Sequence, residues 1–168
     1  DDLNGDGIKD VIIGTFSGQI YGLSATNGAQ LCSVSIGAAI IQRFAKLTDI
    51  NNDGHPDFIP EHSSIPVTQA LDGQTGNILW THAVADQPWR VARTADITGD
   101  GIDDVFLGTM YTNNYCYFLN GVNGSELTAP IPYGEAVDGL NAIPDVVGDG
   151  SMEMLVGGRD GKLTCYSG

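Results

Sequence analysis

The residues in this sequence that can do chemistry are mostly acidic, and they arrive in sets. From Asp2 to Asp10 the chain reads D-L-N-G-D-G-I-K-D, which puts side-chain oxygens at positions 1, 3, 5 and 9. These are Asp2, Asn4, Asp6 and Asp10; Gly7 stands at position 6 and the Ile8 carbonyl is available at position 7. Alternate oxygens around a glycine that permits a sharp turn describe a cage for a hard cation. Three carboxylates this close repel one another until a divalent ion joins them. Calcium suits such a cage, because it accepts roughly 6–8 oxygens in a flexible arrangement, whereas magnesium demands a stricter octahedron.

The same nine-residue pattern returns three times, starting at 49, 96 and 145, with spacings of 47, 47 and 49. The second set offers Asp49, Asn51, Asp53 and Asp57, with the His55 carbonyl at position 7. The third offers Asp96, Thr98, Asp100 and Asp104, with Ile102 at position 7. The fourth offers Asp145, Asp149 and Glu153 around Ser151, but Val147 occupies position 3. The expectation is three good calcium sites and one weak site. Twelve of the 21 acidic residues hold ligand positions in these loops, so much of the acidity is metal-ligand chemistry rather than solvating surface. The loops depart from the EF-hand, which needs a glutamate at position 12 and flanking helices; position 12 of the first loop is Ile13. Dockerin modules repeat such a loop at about half this spacing and on helices, so they do not fit either.

The segments that must hold these loops repeat as well. Each loop leads into a short apolar run: Val11–Gly14, Phe58–Ile59, Val105–Gly108 and Met154–Gly157. Continuous rather than alternating apolar residues indicate strands covered on both faces. A polar turn, a second strand and a small Gly-rich turn follow, and another strand leaves through 31–32, 78–80 and 127–128. A further apolar stretch precedes each later loop. Residues 38–47 alone have helical spacing, and their repeat counterparts contain Pro88 and Gly139, so that stretch too reads as strand. Four strands in a period of 40–50 residues predict an all-β fold, a β-propeller of four-stranded antiparallel blades. The aspartate loops then lie between the first and second strands. By this reading residues 1–168 form one partial propeller of about three and a half blades. The first repeat lacks its first strand, and the sequence stops at Gly168 in the turn before the last strand of the fourth. The expectation is that the rest of a longer chain, or another copy, closes the ring.

Composition narrows the function. A net charge of −14, with seven basic residues, disfavours nucleic acid and anionic membranes as partners. No apolar run approaches the ~18 residues of a membrane span. Cys32, Cys116 and Cys165 have no C-x-x-C spacing, which leaves zinc, haem attachment and thioredoxin-like chemistry without their pattern.

The loop followed by an apolar strand resembles the FG-GAP repeat of integrin α-subunits and of many bacterial secreted proteins, over nearly the whole chain. The resemblance implies a β-propeller with calcium in the loops between first and second strands, usually extracellular. The stretch from Ala70 to Trp80, A-L-D-G-Q-T-G-N-I-L-W, is also similar to the outer-strand motif of quinoprotein-type propellers. Cys32 and Thr128 replace its tryptophan in the other repeats, and the motif reads as blade packing rather than as a cofactor site.

No G-x-S-x-G, H-E-x-x-H or phosphate loop is present. His55, His62 and His82 lack metal spacing, and Asn123-Gly124-Ser125 is a lone glycosylation sequon. Glu61 stands where other repeats have Gly14, Gly108 and Gly157, which reads as a local irregularity. Four of the seven basic residues, Arg43, Lys46, Arg90 and Arg93, fall on first strands one period apart. First strands line a propeller's channel, so these residues either neutralise nearby loop carboxylates or form a patch for an anionic ligand. The function expected is a calcium-stabilised extracellular module for adhesion or for binding a protein or glycan. The alternative is a propeller-type polysaccharide lyase, or another carbohydrate-active enzyme, acting on acidic glycans.

Overall fold

The computed structural model of the chain describes residues 2–37 and 40–167. Ala38 and Ala39 of the 38–47 stretch, and the final Gly168, lie outside the described residues. The structure is all-β and a β-propeller. β1 (Val11–Gly14), β2 (Gln19–Leu23) and β3 (Gln30–Ser35) form a three-stranded sheet in that order. β4 (Ile41–Lys46), β5 (Phe58–His62), β6 (Val67–Leu71) and β7 (Ile78–Ala83) form a four-stranded second blade. The third blade comprises β8 (Gln87–Arg93), β9 (Val105–Met110), β10 (Tyr115–Leu119) and β11 (Ile131–Pro132). The fourth comprises β12 (Val137–Ile143), β13 (Glu153–Gly158) and β14 (Leu163–Ser167). Every pairing is antiparallel between sequence neighbours.

The core lies between blades rather than inside any one of them. Alternate residues of a strand face opposite sides. Thus Val105 and Leu107 join Leu47, Ile59 and Trp80 between blades two and three, while Phe106 joins Val137, Met154 and Val156 between three and four. Ile20, Ile41, Phe58 and Leu71 fill the space between blades one and two. That double burial is why β9 reads as an unbroken apolar run. Val11 and Ile13, the repeat equivalents of Val105 and Leu107, are exposed on the far face of the first blade.

Two local departures have identifiable causes. The outer strand expected at 127–128 is reduced to a Leu119–Glu126 bridge and a Leu127 N–H bond to the Phe118 carbonyl, and the ladder resumes at Ile131. Pro130 and Pro132 lack the N–H that a longer ladder needs. In the second blade β5 and β6 share one ladder pair, Phe58 with Leu71, where β9 and β10 share four. Pro60 interrupts the donors of β5, and the fully buried His62 beside the gap has no hydrogen-bond partner on either ring nitrogen among the described residues.

The inner strands β4, β8 and β12 stand side by side around the axis. Each carries a register irregularity at the same place, around Gln42, Trp89 and Asp138. Bulges of this kind bend a strand and re-aim its side chains.

Candidate metal loops and axial cavity

The four aspartate loops occupy one end of the blades. The first precedes β1, and the other three join β4 to β5, β8 to β9 and β12 to β13. Within each loop the carboxylates organise the backbone. Asp2 accepts the N–H groups of Asn4, Gly5, Asp6 and Gly7; Asp96 accepts those of Gly99, Asp100 and Gly101. The bond from Gly7 to Asp2, and the matching one from Gly101 to Asp96, leads in holding each carboxyl below the usual range. Asp49 and Asp145 are used in the same way at 53–54 and at 148 and 150. Gly7, Gly54, Gly101 and Gly150 have φ between 84° and 94°, a left-handed conformation that glycine adopts without strain.

Position 9 does something the ligand pattern alone did not reveal. Asp10 accepts the Leu3 N–H at 2.9 Å and the Ala25 N–H at 3.0 Å; Asp57 accepts those of Ile50 and Gly73. Asp104 accepts the N–H groups of Ile97, Thr98 and Gly121. These buried carboxylates staple the loop to the turn between the last two strands of its blade, 15–17 residues away. Position 5 adds a second tie: Asp6 to the Thr26 hydroxyl, Asp100 to the Asn120 amide and Asp149 to the Ser167 hydroxyl. The periodicity of this turn was visible in the sequence, but not its bonding to the loop.

Among the described residues, the acidic groups that converge as a metal-holding set are Asp145, Asp149 and Glu153, with one oxygen from each within 4.8 Å of the others. This is the loop ranked weakest by sequence because of Val147. Its position 9 is a glutamate, one methylene longer than aspartate, so the carboxylate reaches the other two. Glu153 is 1% exposed; Oε2 accepts the Val146 N–H at 2.7 Å, and Oε1 is buried without a partner among the described residues. A buried carboxylate oxygen left unpaired is costly, and a cation offsets that cost. In the other loops the oxygens are committed to the backbone: Asp2 Oδ1 accepts three N–H groups and Asp104 Oδ2 accepts two. The all-oxygen donor set of Asp145, Asp149 and Glu153 suits a hard cation, whereas the acidic groups expected as ligands in the other three loops do not converge in this way among the described residues.

The basic residues meet around a cavity of about 580 Å³ on the axis, lined by β4, β8 and β12. Arg90 is held from several sides: Nε donates to the Asp138 carbonyl at 2.8 Å, Nη1 donates to the Trp89 carbonyl at 2.7 Å, and the guanidinium lies 5.2 Å over the Trp89 ring. Its ion-pair partner is Glu61, at 3.4 Å, whose other oxygen accepts the Val91 N–H at 3.1 Å. Burial pushes the Glu61 carboxyl up, against the pull of Val91, Arg90 and Arg43. Glu61 therefore replaces a packing contact with a charged one. A Cβ on Gly14 would stand 2.3 Å from Ile41, and one on Gly108 2.4 Å from Val137, so glycine there lets the next blade's inner strand approach closely. Between blades two and three the carboxylate fills that place. Arg93 pairs with Asp103 at 3.2 Å, beside the third loop. Arg43 is exposed and forms no hydrogen bond or ion pair with the other described residues.

The remaining candidates separate from both sites. The ring of His55 reaches the Asp2 carbonyl at 2.9 Å, and His82 lies 3.3 Å from Glu126. Cys116 is buried, Cys32 half-buried and Cys165 exposed, all as free thiols. Trp80 donates its indole N–H to the Gly121 carbonyl of the next blade, so the quinoprotein-like motif packs blades together.

No family model matches the chain, and no curated protein sequence matches it. Similar solved structures are β-propeller-like. BBS1N, solved in complex with ARL6DN, aligns with a TM-score of 0.66 at 14% identity over 94% of this chain and 44% of that one. BamB from Moraxella catarrhalis aligns with a TM-score of 0.60 at 14% identity, covering 95% and 42%. The V. cholerae biofilm matrix protein Bap1 aligns with a TM-score of 0.59 at 22% identity, covering 99% and 29%. The chain thus spans less than half the length of each of these proteins, and the likeness defines it as a β-propeller.

Proposed function

We propose that this chain is a calcium-stabilised extracellular β-propeller of the FG-GAP kind, acting as a binding or adhesion module. The observation that carries the reading is the convergence of Asp145, Asp149 and the buried Glu153, whose Oε1 has no partner among the described residues, in a loop whose pattern occurs four times. A calcium ion among these oxygens removes their mutual repulsion and fixes the loop, so that the second strand enters its blade in register. Calcium at the concentrations found outside cells would keep weak sites of this type filled. Among propeller neighbours, BBS1N is held in a complex with ARL6DN and Bap1 is a biofilm matrix protein, which supports a role in binding or assembly. The exposed Val11 and Ile13 supply an apolar face for the rest of a longer chain, or another copy, to cover. No helix among the described residues is long and apolar enough to cross a membrane.

Thermal unfolding of the purified chain in millimolar calcium, and again after EDTA, tests this reading. One weak site, with millimolar calcium at about ten times its Kd, shifts the midpoint by about 4 °C. Re-added calcium restores the midpoint, and magnesium does so incompletely. An unchanged melt rejects the calcium reading.

A further inference from the structure

We propose that the open edge of β1 takes a strand donated by a partner protein, with a bulky apolar residue opposite Ile13, a small one opposite Ile12 and an acidic one opposite Val11. The inference deepens the binding-module reading and rests on it. β1 is a sheet edge whose ladder partner is β2, whereas its repeat equivalents β5, β9 and β13 each pair with an inner strand as well. The backbone agrees. Asp57 donates its N–H to the Thr48 carbonyl and accepts that of Leu47, and Asp104 does the same with Ala95 and Thr94. Asp10, their equivalent, is buried yet makes no such bonds among the described residues. In an antiparallel strand alternate residues point both backbone groups to the same side, so Asp10, Ile12 and Gly14 aim theirs at the open edge. Val11 and Ile13 are 46% and 40% exposed, where their equivalents Val105 and Leu107 are fully buried. Unpaired backbone beside exposed apolar side chains is what an added strand covers.

The inner strands of the other blades show what fits. At the place opposite Ile13 they carry Phe44, Val91 and Leu140, all bulky and apolar. At the place opposite Ile12 they carry Ala45, Ala92 and Asn141, all small. Position 8 of the aspartate loop chooses the charge. Arg93, opposite Val105, reaches Asp103 at 3.2 Å, and Asp103 is position 8 of its loop. In the first loop position 8 is Lys9, exposed and without a hydrogen bond or ion pair among the described residues. A residue opposite Val11 stands to Lys9 as Arg93 stands to Asp103, so an acid pairs there and a base is repelled. The chain's own residues at this place are Lys46, Arg93 and Ala142. None of its inner strands, in this copy or in a second one, supplies the acid, and that mismatch assigns the donor to a different polypeptide.

Titration of the calcium-loaded chain with a fluorescent, end-capped peptide R-V-A-E-T-A, read by anisotropy, tests the proposal. The peptide copies residues 90–95 with glutamate in place of Arg93, which sets the glutamate opposite Val11. It binds saturably, and the parent R-V-A-R-T-A binds about fivefold more weakly. N-methylation of the first alanine, whose N–H faces the β1 edge, weakens binding by about tenfold or more. Lys9→Glu reverses the preference between the two peptides, a ratio that a general loss of stability does not move. Amide hydrogen exchange slows on binding at Asp10, Ile12 and Gly14 and stays the same at Val11 and Ile13, which face β2. Absence of saturable binding at millimolar peptide overturns the proposal, as does an unchanged preference in Lys9→Glu or protection confined to another strand. Self-association that covers β1 and resists the peptide does the same, since a second copy is then the occupant. If the calcium-dependent melt persists through such a failure, the strand site alone is lost and the calcium module stands.

Discussion

The indole of Trp80 lies against Gly124 of the following blade so closely that a Cβ there would stand 2.5 Å from the ring, while its N–H donates to the Gly121 carbonyl at 2.9 Å. Gly124 also has φ 71°, so the turn needs glycine both for its conformation and for the space the ring occupies. Gly124→Ala is expected to lower unfolding free energy by about 2–4 kcal/mol, combining overpacking with left-handed strain. Gly139→Ala, where a Cβ meets nothing within 4 Å, is the matched control and should be nearly silent. Denaturant titration of the two variants compares them, and equal midpoints would show that the ring is not seated this way.

The position-9 and position-5 aspartates are expected to separate scaffold from metal. Asp104→Ala removes the acceptor of three backbone N–H groups and should cost about 3–5 kcal/mol whether or not calcium is present. Asp100 is exposed and gives up fewer internal bonds, so Asp100→Ala should leave the midpoint nearly unchanged in EDTA and lower it in calcium. Urea midpoints with and without EDTA measure both. A loss for Asp104→Ala that appears in calcium alone would contradict the staple.

The Glu61–Arg90 pair is mostly buried, with side-chain exposures of 7% and 15%. Glu61→Ala strips Arg90 of its ion-pair partner and the Val91 N–H of its acceptor, and should cost about 3 kcal/mol. Glu61→Gln, which keeps an acceptor for Val91, should recover part of that loss. Chemical denaturation of the two variants decides whether the carboxylate ties blades two and three.

Acid should destabilise the fold through His62 before most carboxylates protonate. Burial pushes this ring down from 6.5 to about 4. Above pH 6.5 the ring is neutral in both folded and unfolded states. As pH falls below 6.5 the unfolded chain takes the proton first, so stability drops until about pH 4, by about 3 kcal/mol in all. His62→Gln removes that slope between pH 6.5 and 4 while leaving the carboxylate-driven loss below it. Urea midpoints measured across this window report the difference, and a variant with an unchanged slope would place the titration elsewhere.

Much of the architecture was legible in the chain because it repeats. Four copies of one loop ahead of one apolar run determine the strand order, the blade period and the end of the blades that carries the oxygens. The ligand residues were legible for the same reason: side-chain type and spacing within nine residues are local facts. What sequence alone did not decide is which carboxylates converge. Position 9 looks alike in Asp10, Asp57, Asp104 and Glu153, yet three of them bond the backbone of a distant turn and the fourth keeps a buried oxygen free. Glu61 likewise read as an irregularity until folding set it beside Arg90, 29 residues on. Trp89 and Tyr111 gave no signal, since their meeting depends on a bulge and a strained turn. Local geometry follows from the order of residues, whereas contacts between blades depend on which surfaces close-packing brings together, and those partners are tens of residues apart.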